Sequence, residues 1–467
     1  MRNAHVRYMC YPSVVCTGVE TEVWVKPRDV SRVFRDEWDY ELGVVGLLDD
    51  QESYHDHVPL DTPFEVKDGC LVFRYTFEKE QEYSIRFCQK DEKEIRISLY
   101  AVEPDLYELR PLKGDLHTHT YYSDGQDGVS MTPADYREEG YDFFALTDHN
   151  RMYTSVLANE LYKDVKLGMH IMLGEEIHTP GSLTHIVHVG GKDSVCEKYI
   201  NNPEQYEKEV DEIAETMTNV DEFYRRRVAM AKWACDKIHE AGGLAIFAHP
   251  YWCPNRYNVS SDFIDYLYDN KMFDAFEVMG GIHYTKINMQ LALWQEKALQ
   301  GNYLPPVGST DSHNHDSDIG FARRFTVVFA KDNTTESILE AVKKGYTVAA
   351  DCATKDINEA RFYGSLRLVM FAHFLYDNYF NETWRLCVGE GILMRRYAEG
   401  EDAGAMLSSL ADTVENFYKK FYGIIKPCGI PAHTREFLDK TRKAQLDSGV
   451  ETKGSSLFFY GTNKARE

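Results

Sequence analysis

The chain has 467 residues, with 75 acidic and 52 basic side chains and a formal net charge of −23 at pH 7. A field of this sign repels a nucleic-acid backbone, so we expect no binding to long DNA or RNA. A small anionic substrate remains compatible with this charge if bound metal supplies positive charge at the site. The length corresponds to about three domains, and an apolar content of 43% is ordinary for a globular protein.

The pattern of apolar residues gives no sign of a membrane or secretory segment. No run approaches the roughly 18 apolar residues of a membrane helix, and the N-terminal segment lacks the features of a signal peptide. The ten cysteines are scattered and include no Cys-x-x-Cys pair. We therefore expect a cytoplasmic protein with reduced thiols and no membrane association.

Residues 1–112 are predicted to form a small β-rich, sandwich-like domain. Segments 21–25, 70–77, 82–87 and 95–100 are rich in β-branched and aromatic residues or alternate in polarity. Clusters of Asp, Gly and Pro, which favour turns, separate them. No group of residues with obvious catalytic chemistry lies in this part of the chain.

From residue 113 to 354 the pattern changes to strands alternating with helices. Seven strands are predicted at 114–117, 143–147, 171–176, 185–189, 244–248, 275–279 and 306–309, with a long amphipathic helical stretch at 203–241. Alternation of this kind is typical of a parallel sheet, and seven repeats suggest a distorted seven-stranded (β/α)7 barrel. Residues 355–467 have helical periodicity and are predicted to form a helical C-terminal region. The fold class is α/β.

Five motifs rich in His and acidic residues accompany these strands, and most follow an apolar run. They are DLHTH at 115–119, TDHN at 147–150, GEEI at 174–177, AHP at 248–250 and TDSH at 310–313, with SDG at 123–125 close behind the first. In a strand, residues two apart point to the same side, so His117 and His119 can bind one metal ion, as can Asp311 and His313. The carboxyl ends of parallel barrel strands share one rim, so we expect the motifs to converge there. Nitrogen and oxygen donors without Cys suit catalytic zinc, manganese or iron(II).

These motifs resemble those of the polymerase and histidinol phosphatase (PHP) superfamily of metal-dependent phosphoesterases. The residues that carry the resemblance are DLHTHTYYSDG at 115–125, LTDHN at 146–150, GEEI at 174–177, AHP at 248–250 and STDSH at 309–313. The similarity covers about half of the chain and implies a distorted seven-stranded barrel with two or three divalent metal ions at its rim. The β-rich leader and the helical tail resemble the carbaryl-hydrolase-like branch of this superfamily.

The resemblance implies nine metal ligands in three groups. The first metal ion would be held by His117, His119, Glu176 and Asp311, the second by Glu176, His185 and His249, and the third by Asp124, His149 and His313. The metal ions would be Mn²⁺, Zn²⁺ or Fe²⁺. Glu176 would then bridge the first two ions.

Two of these assignments have alternatives nearby in the sequence. Glu175 and Glu176 point to opposite faces of a strand, and the family's Gly-x-Glu-Ile spacing favours Glu176. His185 and His188 are three apart and also point to opposite faces, and the strand that runs on from His185 favours His185. His178 shares a face with Glu176 and could support a ligand.

The metal ions imply hydrolysis by a hydroxide formed from a metal-bridging water, with a small phosphorylated metabolite or nucleotide as substrate. Asp311 and His249 are the candidates for proton transfer to the leaving oxygen, and Asp148 is expected to orient a neighbouring ligand. Arg323, Arg324 and Arg256 are the candidates for binding the anionic substrate. Tyr251 and Trp252 could stack on an aromatic group of the substrate or pack at the rim.

Two other functions are compatible with the same residues. The metal-activated hydroxide could instead attack a carbamate, an ester or an amide, because both reactions need a hydroxide and a polarised oxygen. A non-catalytic PHP-like binding module is the third possibility. Against it, the sequence retains candidates for all nine ligands.

Overall fold

The computed structural model describes residues 7–49, 60–90, 92–182, 184–252, 259–280, 284–316, 318, 320–352 and 360–447. The chain divides into two compact units, one made of 1–108 with 416–467 and the other of 109–415. The predicted boundary at residue 112 lies close to this division. The predicted third region, 355–467, is instead shared between the two units, because its last part returns to the N-terminal unit. No helix in the described ranges is long and apolar enough to cross a membrane.

The N-terminal unit contains two four-stranded sheets, with strand orders β1-β3-β6-β5 and β2-β8-β7-β4. The strands are β1 (Tyr8–Tyr11), β2 (Val14–Cys16), β3 (Glu20–Pro27), β4 (Tyr40–Gly46), β5 (Phe64–Lys67), β6 (Cys70–Thr76), β7 (Gln81–Gln89) and β8 (Ile95–Val102). Alternate residues of β7, namely Tyr83, Ile85 and Phe87, enter one core together with residues of the other sheet. Burying one face of each strand stabilises the two sheets against each other.

The second unit contains a six-stranded and a five-stranded sheet, with orders β11-β10-β9-β17-β18-β19 and β12-β13-β14-β15-β16. The strands are β9 (Arg110–Asp115), β10 (Phe143–Ala145), β11 (His170–Met172), β12 (Gly174–Ile177), β13 (Ile186–Val189), β14 (Leu244–Phe247), β15 (Ala275–Met279), β16 (Pro306–Gly308), β17 (Arg324–Ala330), β18 (Thr347–Asp351) and β19 (Arg361–Tyr363). Their inward side chains build a shared apolar core that includes residues of both sheets.

Thirteen α-helices are present in the described residues. They are α1 (Pro104–Tyr107), α2 (Thr132–Glu138), α3 (Tyr153–Tyr162), α4 (Cys196–Asn201), α5 (Pro203–Thr216), α6 (Glu222–Glu240), α7 (Ser261–Asp269), α8 (Tyr284–Leu299), α9 (Thr335–Lys343), α10 (Leu366–Leu375), α11 (Asn381–Ala398), α12 (Gly404–Phe421) and α13 (Ala432–Asp447). A π-helical turn at Tyr376–Phe380 joins α10 to α11. The predicted α/β class and the helical C-terminal region are confirmed.

The strand arrangement differs from the predicted parallel barrel. All seven predicted strands are present, although the third is divided into β11 and β12, and β17, β18 and β19 come in addition. β13 pairs antiparallel with both β12 and β14, and β17 pairs antiparallel with β9 and β18. The short connection from β12 to β13 explains the first of these pairs, because a parallel crossover needs a dozen or so residues.

No closed barrel is formed by the described strands. The two sheets approach each other at isolated β-bridges that join Thr118 to Ser312 and His149 to Glu176. All four of these residues belong to the predicted metal motifs, so the motifs lie where the two sheets meet. The sheets are also joined at β16, where the backbone N–H and carbonyl of Gly308 form hydrogen bonds with the hydroxyl of Thr326 on β17, at 2.9 and 2.8 Å.

Helix α11 packs against α2 through a buried ion pair. Nε of Arg137 donates to Oε2 of Glu390 at 2.8 Å, and both side chains are fully buried. Oε1 of Glu390 accepts the backbone N–H of Gly168 at 2.5 Å. An added Cβ at Gly391 would lie 2.5 Å from the carbonyl oxygen of Ala134, so this close approach of the helices requires glycine.

We expect Glu390→Gln to lower the free energy of unfolding by about 2–3 kcal/mol, because it leaves the buried Arg137 charge with only the Asp142 carboxylate, 3.4 Å away, as counter-ion. Urea unfolding measures this change. The matched control is Glu401→Gln, which removes an exposed pair with Arg396 and should cost less than about 1 kcal/mol. Equal effects of the two substitutions would contradict the structural role of the buried pair.

Candidate metal centre

The nine predicted ligands converge in the second unit, although they lie up to 196 positions apart in the sequence. Two follow β9 (His117, His119), one lies in the next loop (Asp124), one follows β10 (His149), one is on β12 (Glu176), one precedes β13 (His185), one follows β14 (His249) and two follow β16 (Asp311, His313). They fall into overlapping groups whose donor atoms lie within 4.8 Å of one another. Their roles as ligands stay predictions, and their proximity is a structural fact.

The first group has the size of a tetrahedral metal site. Nε2 of His117 lies 3.1 Å from Nε2 of His119, 3.2 Å from Oε2 of Glu176 and 3.3 Å from Oδ1 of Asp311. Nε2 of His119 lies 3.2 Å from the same Glu176 oxygen and 3.1 Å from the same Asp311 oxygen. A regular tetrahedron with edges of about 3.2 Å has its centre about 2.0 Å from each corner, which matches zinc–nitrogen and zinc–oxygen bond lengths.

The Glu176 carboxylate faces two groups at once. Its Oε2 belongs to the first group and also lies 3.1 Å from Nδ1 of His149. Its Oε1 lies 2.7 Å from Nδ1 of His185 and 3.2 Å from Nε2 of His249. The predicted bridging role of Glu176 is compatible with this position and stays a prediction. Among the groups of mutually close donors, Glu176 and His185 lie with His149, whereas His249 lies with His117 and Glu277.

The third predicted group lies around Asp124. One Asp124 oxygen is 3.4 Å from Nε2 of His313, and the other is 3.5 Å from Nε2 of His149. The side chain of Asp124 is 53% exposed, whereas those of His119 and Glu176 are buried. The third group therefore forms the solvent-facing side of the cluster.

Asp311 and His313 do not share a strand face as the spacing predicted. Asp311 has a positive φ of 51°, a left-handed conformation that is strained for a residue with a side chain. This bend directs the Asp311 carboxylate to His117 and His119, while Nε2 of His313 points to Asp124.

The electrostatics of the cluster fit a cation. Burial by itself lowers the pKa of His119, but hydrogen bonds to Asp311 and Glu176 raise it to about 10. Burial raises the pKa of the Asp311 and Glu176 carboxyls, but the charges of neighbouring imidazoles, His117 foremost, bring it below the usual range. The carboxylates thus attract positive charge strongly, and bound metal would supply it in place of protons.

Several buried donor atoms also have lone pairs available to a metal ion. Oε2 of Glu176 and the Nδ1 atoms of His149 and His185 make no hydrogen bond with suitable geometry to any described residue. Buried polar atoms without hydrogen bonds are costly, and a metal ion would remove this cost. The donor set therefore fits divalent metal.

Glu277 is a carboxylate of the cluster that the sequence analysis missed. Its Oε1 lies 3.1 Å from Nδ1 of His117, and its Oε2 accepts the backbone N–H of His249 at 3.1 Å. Donation from Nδ1 leaves the Nε2 lone pair of His117 directed at the first group. An added Cβ at Gly280 would lie 2.2 Å from the Glu277 carboxyl carbon, so glycine leaves room for this side chain. The sequence contained one signal for Glu277, which is the single charged residue in the otherwise apolar strand β15.

Asp148 acts on the loop after β9 and does not touch a His ligand directly. It accepts hydrogen bonds from the backbone N–H and hydroxyl of Thr120, both at 2.7 Å, and from the Ser123 hydroxyl at 2.6 Å. The Ser123 hydroxyl lies 3.4 Å from Nδ1 of His119. Asp148 thereby holds the loop and, through Ser123, the ring of His119.

Asp115 forms buried hydrogen bonds with two of the segments that carry predicted ligands. Its carboxylate accepts hydrogen bonds from the hydroxyls of Tyr136 and Thr310, at 2.9 and 2.6 Å, and from the backbone N–H of His117 at 3.1 Å. Burial raises the pKa of Asp115 to about 6 even though these donors lower it. This carboxylate links the segment after β9 to the segment after β16.

The strand alternation separates the two Glu–His alternatives. Glu175 and His188 lie opposite each other on β12 and β13 and form a separate buried pair, with His188 Nδ1 3.0 Å from Glu175. Glu175 also accepts from the Ser194 hydroxyl and the Val195 N–H. Glu176 and His185 point into the cluster instead. The ring of His178 stacks near His185, with centroids 4.5 Å apart.

Two of the three predicted substrate-binding arginines, Arg323 and Arg324, lie outside the cluster. Arg324 is buried at the start of β17, and Arg323 lines a separate polar cavity of about 750 Å³ together with Arg395 and several acidic residues. Arg256 lies outside the described residues. Trp252 does border the cluster: it is 45% exposed and stacks on the ring of His185, with centroids 5.4 Å apart.

Comparisons with known proteins found solved structures with partial similarity. A two-domain protein from Bacteroides vulgatus that contains a predicted PHP-like metal-dependent phosphoesterase is 22% identical, with a TM-score of 0.37, over 53% of this chain and 66% of that chain. A candidate metal-dependent phosphoesterase from Bifidobacterium adolescentis is 17% identical, with a TM-score of 0.31, over 43% and 87%. An amidohydrolase from Chromobacterium violaceum, with bound sulfate and no metal, is 18% identical, with a TM-score of 0.31, over 44% and 89%.

No family model and no curated protein matches the chain. Two of the solved structures with partial similarity are described as PHP-like or metal-dependent phosphoesterases. Because these similarities are distant and partial, the functional assignment depends on the residues of the metal centre.

We expect Glu176→Gln to purify with less metal than the wild type, because the substitution weakens two groups at once. Glu175→Gln should keep the wild-type metal content, since its carboxylate faces His188. Elemental analysis of protein purified without chelator measures both. Loss of metal from the Glu175 variant alone would show that the strand faces are reversed.

We expect Glu277→Gln to weaken metal binding by about 10–100-fold, as is typical when a carboxylate that orients a metal-binding His is removed. Competition with a chromogenic chelator measures the affinity. Glu296→Gln, on the exposed face of α8, is the matched control and should bind metal like the wild type. Unchanged affinity of the Glu277 variant would remove this residue from the metal centre.

Proposed function

We propose that the protein is a metal-dependent phosphoesterase that hydrolyses a small phosphorylated metabolite or nucleotide. The observation that carries this proposal is the Glu176 carboxylate, whose two oxygens face two adjacent groups of His and Asp donors. Adjacent metal ions are the usual requirement for in-line displacement at phosphorus. We propose two or three divalent ions per chain, of the Mn²⁺, Zn²⁺ or Fe²⁺ type.

Different residues of the chain would serve different steps of such a reaction. Bound metal would supply a water of lowered pKa and would polarise a phosphoryl oxygen. Glu277 and Asp148, the latter through Ser123, orient the rings of His117 and His119. Asp311 and His249, with Oδ2 and Nε2 3.8 Å apart, are the groups placed to move a proton to the leaving oxygen.

The exposure of the cluster indicates how a substrate would approach. His117, His119 and Glu176 are buried, so access is from the side of Asp124, His149 and His313. Trp252 lies at this rim on His185, and exposed Tyr121 follows the first motif closely in the sequence. An aromatic or nucleoside leaving group could stack on these rings. Arg323 and Arg324 lie outside the cluster, so we propose that the metal ions provide the charge that attracts a phosphate.

Other features support the finer parts of this proposal. The two bridges between the sheets, at Thr118–Ser312 and His149–Glu176, are compatible with the distorted seven-stranded barrel implied by the PHP resemblance. The nine described cysteines are free thiols, which supports a reducing compartment such as the cytoplasm. We propose that the protein works on small anionic substrates without a membrane or long nucleic acid as partner.

The proposal is tested with a panel of phosphate monoesters and diesters, aryl esters and a carbamate, assayed with added Mn²⁺. We expect hydrolysis of at least one phosphate ester. Asp311→Asn should reduce this activity at least about 100-fold, because it replaces a charged carboxylate donor of the first group by a neutral amide and removes several kcal/mol of charge stabilisation. Asp316→Asn, an exposed residue of the same loop, is the control and should keep full activity.

The remaining outcomes separate the alternatives. Hydrolysis of the carbamate or aryl esters, with no phosphate ester cleaved, would replace the proposal by the metal-dependent carbamate, ester or amide hydrolase. A metal-loaded protein without activity on any substrate would favour the non-catalytic PHP-like module.

A further inference from the structure

A cavity of about 410 Å³ lies in the N-terminal unit, remote in sequence from the metal motifs. Its walls come from the end of β3 with the turn that follows it, and from the chain at the end of α12 and beyond. The lining residues include four basic side chains, Lys26, Arg28, Lys420 and Lys426, and no acidic side chain. This composition is opposite to that of the chain, which carries 75 acidic and 52 basic residues.

The lysines of this basic pocket have no carboxylate partner among the described residues. Nζ of Lys26 donates to the backbone carbonyls of Cys428 and Gly429, at 2.7 and 3.4 Å. Lys420 and Lys426 are exposed and form no ion pair within the described ranges. The nearby carboxylate of Asp68 is already paired with Arg435 at 2.7 Å.

Placing the charges of Lys26, Lys420 and Lys426 along one cavity without a carboxylate partner costs electrostatic energy, and an anion bound between them reverses the sign of that energy. Ammonium and guanidinium groups together are the usual donors to phosphate oxygens. The remaining walls are largely apolar and include Val30 and Ile430 with neighbouring prolines. The pocket thus combines a cationic side with an apolar side, and its volume is within the range of small-molecule sites.

The walls are held in place by hydrogen bonds that involve no ligand. The backbone N–H of Ser13 donates to the carbonyl of Phe421 at 2.8 Å, and that of Ile430 donates to Asp68 at 2.8 Å. The Tyr107 hydroxyl donates to the carbonyl of Tyr422 at 2.9 Å. A pocket organised in advance loses little conformational entropy when a ligand binds.

We propose that this basic pocket binds a small organic phosphate, with the phosphate at Lys26, Lys420 and Lys426 and the organic part against the apolar wall. The site lies in a different unit from the metal centre and does not depend on the proposed phosphoesterase activity. The N-terminal unit would then be a ligand-binding module with its own specificity for anions.

The test is isothermal titration calorimetry on the full-length, metal-loaded protein at low ionic strength. The probes are a non-hydrolysable ATP analogue, fructose 1,6-bisphosphate and, as the uncharged comparison, adenosine. We expect saturable binding of at least one phosphate probe and none of adenosine. Added salt should weaken this binding, because the contacts are exposed ion pairs.

Two charge-reversal variants locate the binding. Lys426→Glu should weaken the binding of the phosphate probe by about tenfold or more, since it replaces a charge-assisted contact by a repulsive one. Lys90→Glu, at the end of β7 and outside the pocket, changes the net charge equally and should stay within about twofold of the wild type. Both variants should retain the wild-type metal content, which shows that the metal centre is intact.

Three results would overturn the proposal. The first is the absence of saturable binding by both phosphate probes, and the second is equal weakening by Lys426→Glu and Lys90→Glu. The third is binding of a single-stranded RNA 20-mer with no binding of either small phosphate, which would assign the pocket to a nucleic acid. Because metal content and hydrolytic activity are measured separately, failure here is distinct from failure of the phosphoesterase proposal.

Discussion

The Glu176 carboxylate is the interaction on which the candidate metal centre depends. It is buried on β12, where an isolated negative charge would be strongly unfavourable. Five imidazoles face it, and its two oxygens are divided between them: His117, His119 and His149 on one side, His185 and His249 on the other. A buried carboxylate charge is stable only when positive charge lies beside it. Bound divalent metal would supply this charge in place of protons on the imidazoles.

A second layer of carboxylates keeps the His and Asp side chains in position. Glu277 contacts His117, Asp148 holds the loop that carries Ser123, and Asp115 ties the segment after β9 to that after β16. Helix α2 supplies Tyr136 to Asp115 and is itself held by α11 through the buried ion pair. The geometry of the metal centre is therefore maintained by packing that extends into the helical C-terminal part of the second unit.

The two proposed sites would attract an anion to this acidic chain by different means. A chain with a net charge of −23 repels anions in general. At the proposed catalytic site, bound metal would provide the local positive charge, and the carboxylates of Asp124, Glu176 and Asp311 would hold it. At the basic pocket of the N-terminal unit, lysines would provide the charge, and acidic side chains are absent from its lining. The first arrangement suits chemistry on the bound anion, and the second suits binding alone.

The sequence by itself determined the α/β class, the helical C-terminal part and the identity of the nine clustered side chains. Spacing within one strand placed Glu175 and Glu176 on opposite faces, and the resemblance to the PHP superfamily favoured Glu176 and implied the other eight side chains. Only the tertiary structure decided that β13 pairs antiparallel with β12 and with β14, and that Asp311 has a positive φ. It also placed Glu277 beside His117, and Arg323 and Arg324 outside the cluster. These features depend on which distant segments become neighbours, and pairing between strands far apart in the chain leaves no periodic signal in either one.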